Sequence, residues 1–201
     1  MDAMSYRSRK ELFSKVHERR RLLAARKFMA WVAVGIIAML FAAYTSAYIV
    51  RMAEGNWQAI RLPKIYMLSS LVVLLSSLTL WRGSYWVRRD EVVRSRLWFV
   101  ITFVLGVLFL IFQWMGFVDM VDRNIYMVGE VAGSYVYVLA GMHALHVVLG
   151  LGFVGYTTYA AFTYRVDAKR DVPVYVTQVL WHFLAVLWVY LYAFMLLTQR
   201  I

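Results

Sequence analysis

The sequence predicts an all-α membrane protein whose five transmembrane helices form one bundle. Only 16% of its 201 residues are charged, against about 25% in a typical soluble domain. Most of the chain lies in five apolar stretches, each about long enough for a helix to cross a hydrocarbon core of about 30 Å. Helices are predicted because the backbone must satisfy its own hydrogen bonds in lipid. The stretches are Phe28–Val50, Ile65–Trp81, Leu97–Trp114, Ser134–Ala161 and Val174–Leu197.

Residues 1–27 form a basic N-terminal segment ahead of the transmembrane domain, residues 28–201. This segment is predicted to be either an interfacial helix on the cytoplasmic face or a partly disordered arm. The first stretch is interpreted as a retained anchor. Its length of 23 residues exceeds the 7–15 of the apolar region of a signal peptide, and the preceding basic region is too extended.

The basic residues indicate the orientation of the helices. Of the 22 Lys and Arg residues, 17 lie before the first stretch, between the second and third, or between the fourth and fifth. The positive-inside rule therefore predicts a cytoplasmic N-terminus and an external C-terminus. The net charge of +11 is assigned to topology and anionic lipid, with no nucleic-acid partner. The five basic residues on the other side are Arg51, Arg61, Lys64, Arg123 and Arg200.

Small and polar residues within the spans predict close helix packing. Span two contains four serines, whose hydroxyls can bond to their own helix backbone. Span four contains glycines that let neighbouring helices approach. Aromatic residues near span ends, including Tyr66, Trp81, Trp114 and Trp181, are interpreted mainly as interfacial belts. A quinone site in an aromatic pocket is the alternative.

Three histidines are the ionisable residues well inside the spans, and such residues are functional candidates. His143 and His146 share a helix face, so they could bind one metal ion together with His182. The sequence has no cysteine, and no carboxylate lies nearby to complete a four-ligand shell. Hydrogen bonding between helices is therefore favoured over metal or haem ligation.

Several motifs together resemble subunit III of haem-copper cytochrome c oxidases, in the short five-helix form found in many bacteria. The similarity covers about residues 25–198. The run Gly141-Met142-His143-Ala144-Leu145-His146-Val147 ahead of Trp181-His182-Phe183 is its most specific part. The other matching segments are Trp31–Arg51, Ala53–Trp57 and the run 133–139.

The resemblance implies an accessory subunit that has no redox centre, in a complex whose haem and copper lie in subunits I and II. Such a subunit packs on subunit I, retains phospholipid in a cleft between its helices, and supports proton uptake and lasting turnover. The first two helices are expected to form one group and the last three another, with the cleft between them. The implied location is the bacterial inner membrane, where subunit II and other respiratory-complex subunits are further partners.

Two positions depart from the family pattern. Many members have a membrane glutamate where this chain has Ile37, and an aspartate soon after the Trp181-His182-Phe183 motif, where this chain continues Leu184-Ala185. We therefore expect packing and lipid retention without a proton-carrying step. A quinol oxidase subunit III is the alternative function, and a small transporter or channel is a weaker one.

Arginines beside aromatic rings at helix ends are predicted to bind lipid headgroups, because the cation meets phosphate while the rings lie at headgroup depth. The alternative is that the arginine side chains only extend to the membrane interface and that the rings are ordinary interfacial residues, without a specific lipid site. His182 is expected near the cytoplasmic interface, within reach of a headgroup or a neighbouring helix. The predicted outer cluster is Arg51 with Trp57, and the predicted inner cluster is Arg82 with Trp81, Tyr85 and Trp86. The predicted lipid-binding or packing residues are Arg51, Trp57, Trp81, Arg82, His143, His146, Trp181 and His182.

Overall fold

Five α-helices account for most of the part of the chain that the structure describes, residues 2–54, 60–127, 131–168 and 170–198. The structure is a computed structural model, in which residues 2–16, 19 and 20 are described by their backbone alone. The described residues contain no β-strand, and each helix is long and apolar enough to span a membrane. The helices are α1 (Asp2–Ala53), α2 (Ile65–Arg88), α3 (Val92–Asp122), α4 (Val131–Phe162) and α5 (Val172–Thr198).

The helices extend beyond the apolar stretches that predict them. Hydropathy detects only the residues that meet lipid, whereas backbone hydrogen bonding continues into polar ends such as Arg82–Arg88 of α2. The longest helix, α1, has 52 residues, which corresponds to about 78 Å. It crosses the predicted boundary at residue 27 without a break. The basic segment is thus continuous with the first span instead of forming a separate helix.

Three helices end at a non-glycine residue with left-handed backbone geometry. Asp90, Asn124 and Tyr164 have φ angles of 63°, 60° and 54°. After each one, the next backbone N–H bonds back five residues, as Glu91 N–H does to the Trp86 carbonyl at 3.0 Å. This is the Schellman pattern, which satisfies carbonyls that the helix leaves open.

The helices α4 and α5 each contact three others, α4 contacting α1, α3 and α5, and α5 contacting α1, α2 and α4. The helices α2, α3, α4 and α5 form a four-helix bundle, in which α2 packs most extensively on α3. The outer helix, α1, lies on α5 and makes a smaller contact with α4. Only 17% of the most apolar window of α1 is buried, against 39% for α4 and α5.

The expected grouping of the first two helices is therefore wrong. Within the described residues, α1 and α2 make no contact with each other. Instead, α2 packs on α3 and α5, whereas α1 packs on α5 and α4. A groove between α1 and α2 results, and its floor is α5.

Glycines in the bundle allow two of these close approaches. A Cβ added to Gly106 of α3 would lie 2.8 Å from the Leu151 side chain and 2.8 Å from the Trp181 ring. A Cβ on Gly116 would overlap the Tyr66 ring. Any larger residue at these positions would separate α3 from its neighbours.

Candidate functional site

Hydrogen bonds between α2 and α5 form a polar seam inside the bundle. The indole N–H of Trp188 donates to Ser70 Oγ at 3.0 Å, and that of Trp181 donates to Ser76 Oγ at 3.1 Å. One residue further along each helix, His182 Nδ1 lies 2.5 Å from the hydroxyl of Ser77. The bonds follow one another along antiparallel helices. The seam therefore defines the register of α5 against α2.

Other polar side chains connect α2 to α3 and α4 to α5. The amide nitrogen of Gln113 donates to Ser69 Oγ at 3.2 Å. Two threonine pairs have hydroxyl oxygens 2.8 Å apart, namely Thr79 with Thr102 and Thr157 with Thr177. Bonds of this kind in membrane proteins contribute about 0.6 kcal/mol on average. Sequence analysis that considers only ionisable residues does not find these groups. The glutamine within an apolar span is the one sequence feature that indicates a buried polar contact.

His143 occupies an aromatic box in the core. Its ring is fully buried, with centroids 5.1 Å from Trp188, 5.9 Å from Phe109 and 6.2 Å from Phe41. Within the described part of the chain, neither imidazole nitrogen has a hydrogen-bond partner. The expected hydrogen bond between helices is thus absent at His143, which instead contributes packing against three rings.

The three histidines make separate contacts. His146 Nδ1–H donates to the carbonyl of Met142 in its own helix at 2.7 Å, and its ring lies 5.6 Å from Phe41. His182 bonds to Ser77 on another helix. No group of three or more His, Cys, Asp or Glu side chains comes together among the described residues. The arrangement of the described residues therefore offers no ready metal-ligand set.

Two predicted interfacial residues are buried. Tyr66 and Trp181 both pack in the core, so the belt interpretation is wrong for them, whereas Trp81 and Trp114 are 53% and 70% exposed. His182 lies ten residues after Val172, the first residue of α5, which corresponds to about 15 Å along the helix.

The candidate lipid cluster around Arg82 lies on α2. The Arg82 guanidinium lies over the rings of Tyr85 and Trp86, at 5.7 Å and 5.8 Å from their centroids. The exposed Trp81 ring lies 6.5 Å from that of Tyr85. Such contacts hold the side chain of Arg82 against aromatic rings while its charge stays exposed.

The candidate cluster around Arg51 is only partly described. Arg51, in the last turn of α1, is exposed and forms an ion pair with Glu54. Trp57, its predicted aromatic partner, lies outside the described residues. The pair with Glu54 offsets the charge of Arg51, which makes this cluster a weaker anion site than the one around Arg82.

Two contacts that the sequence does not predict hold α1 on α5 near the basic segment. The Trp31 indole N–H donates to the Tyr175 hydroxyl at 3.0 Å. One turn earlier, the Lys27 ammonium lies 3.6 Å from the Asp171 carboxylate and 4.7 Å from the centre of the Tyr175 ring. Ile37, at the family's glutamate position, packs partly buried against the core.

The comparisons with known proteins all point to oxidase subunit III. The family model described as cytochrome c oxidase subunit III matches residues 27–198. Cytochrome c oxidase subunit 3 of Bacillus sp. strain PS3 is 28% identical over 196 residues, 90% of this chain and 91% of the relative. Its counterpart in Corynebacterium diphtheriae is 29% identical over 163 residues, 77% of each chain. A probable quinol oxidase subunit 3 of Staphylococcus haemolyticus is 24% identical over 64% of each chain. The chain therefore belongs to the cytochrome c oxidase subunit III family.

Proposed function

We propose that this chain is the accessory subunit III of a haem-copper terminal oxidase that passes electrons from cytochrome c to oxygen. The observation that carries the proposal is the family match over residues 27–198, which includes all four helices of the bundle. Haem and copper would lie in partner subunits I and II, with subunit I as the main contact. A quinol oxidase subunit III is the second candidate, which the Staphylococcus relative supports.

The interior polar contacts support a role in packing. Trp181, Trp188 and His182 each bond to a serine of α2, and Gln113 bonds to another. These groups connect helices instead of forming a file of carboxylates across the membrane. We propose that the subunit supports proton uptake and lasting turnover by holding subunit I and its lipids in place, without a proton-carrying step of its own.

Co-purification tests this assignment. An affinity tag on the chain should recover subunits I and II and haem A from native membranes, whereas haem O would favour the quinol oxidase. Recovery without any haem would contradict both candidates. The isolated chain should bind no stoichiometric haem, copper or iron. A metal that is retained by the isolated chain and lost on His143→Ala would overturn the packing role.

We propose the cluster of Arg82 with Tyr85 and Trp86 as a phospholipid headgroup site. An exposed guanidinium over interfacial rings meets phosphate at the depth where the rings reside. Arg82→Ala should lower bound phospholipid and the number of turnovers before the oxidase inactivates. Arg123→Ala is the control, because it also removes an arginine charge, but from a guanidinium that is already paired with Asp119. Wild-type values for an assembled Arg82→Ala oxidase would exclude a lipid site there.

We propose a multi-pass protein of the bacterial inner membrane with a cytoplasmic N-terminus and an external C-terminus. The split of 17 basic residues against five supports this orientation. A cysteine at the exposed position Asp90 tests it. In intact cells, a membrane-impermeant thiol reagent should not label Asp90→Cys from outside, but should label Asp122→Cys. External labelling of the cysteine at position 90 would contradict the proposed orientation and indicate the opposite one.

A further inference from the structure

The basic segment of α1 extends well beyond the membrane boundary. The ion pair of Lys27 with Asp171 marks this boundary, because charged groups are costly in hydrocarbon and the two side chains are 38% and 33% exposed. From Lys27 to Asp2, α1 continues as one helix for about 38 Å. Headgroups occupy only about 5–8 Å on each side of the hydrocarbon core. Most of this segment therefore lies in water, on the cytoplasmic side in the proposed orientation.

The segment also lies outside the helix bundle. The described side chains of Glu18 and of residues 21–26 are exposed, apart from the half-buried Leu23. Leu22, an apolar residue, is 58% exposed. The neighbouring helix α5 begins at Val172, next to the residue that pairs with Lys27, and runs back into the bundle. It therefore does not accompany the segment away from the membrane, and this length of helix is open to a partner.

Basic and apolar residues are interleaved along this segment. Residues 1–27 contain nine Lys or Arg residues and three Asp or Glu residues. Four of the basic residues lie about 18–30 Å beyond Lys27 along the helix axis, namely Arg7, Arg9, Lys10 and Lys15. Three apolar residues lie about 16–23 Å beyond the same point, namely Leu12, Phe13 and Val16. The segment thus places positive charge and apolar groups at similar distances from the membrane.

Anionic lipid does not account for these positions. The attraction of a charged membrane surface falls off within a Debye length, about 8 Å at physiological ionic strength. Together with the headgroups, its reach ends about 15 Å beyond the boundary, short of Lys10 and Arg7. A helix tilt of about 20° shortens these distances only slightly. A helix lying on the surface would need a break near Lys27, and α1 continues through that position without one.

The composition favours one kind of partner, a protein with an acidic surface. A second copy of this chain is disfavoured, because two segments with nine basic against three acidic residues repel each other. Nucleic acid would match the charge through its phosphates, but it would leave Leu12, Phe13 and Val16 without apolar contacts. Protein interfaces combine an apolar centre with a charged rim, and a helix with apolar residues docks in a groove.

We propose that residues 2–26 form a docking helix for a partner protein whose surface has an apolar groove with an acidic rim. The inference rests on the proposed cytoplasmic N-terminus and goes beyond the role in the oxidase, because the docking helix lies outside the family match over residues 27–198. Complementary charge speeds association and makes it sensitive to salt. The bound helix loses the repulsion among its own basic residues, which like charges four residues apart otherwise cause.

Cysteine protection in native membranes tests the docking helix. The chain has no cysteine, so Ser14→Cys introduces a single thiol beside the apolar residues. In inside-out vesicles at low salt, a soluble maleimide should label this thiol slowly, and a wash with about 0.5 M salt should speed labelling about fivefold or more. Asp90→Cys, an exposed control on the same side, should label at one rate throughout. Equal labelling of Ser14→Cys before and after the wash would overturn the proposal. Failure of Asp90→Cys to label would instead contradict the proposed orientation.

Two further measurements separate a protein partner from the other anions. Nuclease treatment of the vesicles should leave the Ser14→Cys thiol protected, and release of the thiol would identify nucleic acid and overturn the proposal. The purified oxidase complex should label at the same rate in phosphatidylglycerol and phosphatidylcholine nanodiscs. Slower labelling in phosphatidylglycerol would identify a helix on the lipid surface and overturn it as well.

Charge variants locate the contact. Arg9→Glu combined with Lys10→Glu, in the Ser14→Cys background, should raise labelling at low salt to the rate of washed vesicles, because the reversed charges meet an acidic rim. Arg9→Lys combined with Lys10→Arg keeps the charge and is the matched control, which should stay protected. Haem recovery at the wild-type level in both variants shows that the oxidase is still assembled. Continued protection of the charge-reversed variant in an assembled oxidase would refute the docking helix.

Discussion

Replacement of Gly116 by alanine should destabilise the bundle, although alanine is the better helix former. The added Cβ would lie 2.8 Å from Cζ and 2.9 Å from Cδ1 of Tyr66, and closer still to Cε1. The Tyr66 ring is fully buried and packs edge-on against Trp188 at 5.7 Å, so it has little room to move. Overpacking costs about 1–3 kcal/mol, and the gain in helix propensity returns about 1 kcal/mol. Because the added Cβ overlaps a ring that has little room to move, the overpacking cost lies in the upper half of that range, and a net loss of about 1–2 kcal/mol follows.

Thermal unfolding of the detergent-solubilised protein measures this loss. For a chain of about 200 residues, about 1–2 kcal/mol lowers Tm by about 2–8 °C. Gly152→Ala is the matched control, because nothing lies within 4 Å of a Cβ added there, and Tm should stay equal or rise. Tyr66→Leu should remove most of the cost of Gly116→Ala in a double-mutant cycle. A Gly116→Ala protein at least as stable as wild type would refute the reasoning.

Three further changes test the interior contacts and one helix end. Ser76→Ala should cost about 1–3 kcal/mol in unfolding free energy, since the buried Trp181 N–H loses its acceptor, and a value near zero would argue against that bond. His143→Phe should change stability by less than about 1.5 kcal/mol, because no hydrogen bond is lost; a larger loss on denaturation would reveal a partner. Asp90→Gly should raise Tm slightly, as φ of 63° costs a non-glycine residue about 1 kcal/mol, and a fall would show that the Asp90 bond to the Ala168 N–H dominates.

Hydropathy and charge predict the number and type of the helices, because lipid contact leaves a strong compositional signal. The same signal ends where lipid ends, so the extension of α2 to Arg88 and the left-handed end at Asp90 follow from the structure alone. Aromatic residues near span ends are ambiguous in sequence. Tyr66 packs inside the bundle, whereas Trp114 faces outward.

The packing partners of the interior polar residues were beyond sequence reasoning. Serines of α2 predict close approach, but only the three-dimensional arrangement pairs Ser70 with Trp188 and Ser77 with His182. The burial of His143 among aromatic rings was equally hidden, since a histidine in an apolar span is compatible with ligation, bonding or packing. The separation of α1 from α2 depends on competition among helix faces that have similar composition.

The seam between α2 and α5 limits how these helices can move. A slide of α5 by one helical turn, about 5.4 Å, would separate Trp188 from Ser70, Trp181 from Ser76 and His182 from Ser77 in a single step. Lipid tails are as apolar as the helix faces and would resist such a slide only weakly, so the directional bonds supply the resistance. The three bonds therefore oppose piston-like motion of α5 together, whereas α1, among the described residues, contacts only α5 and α4.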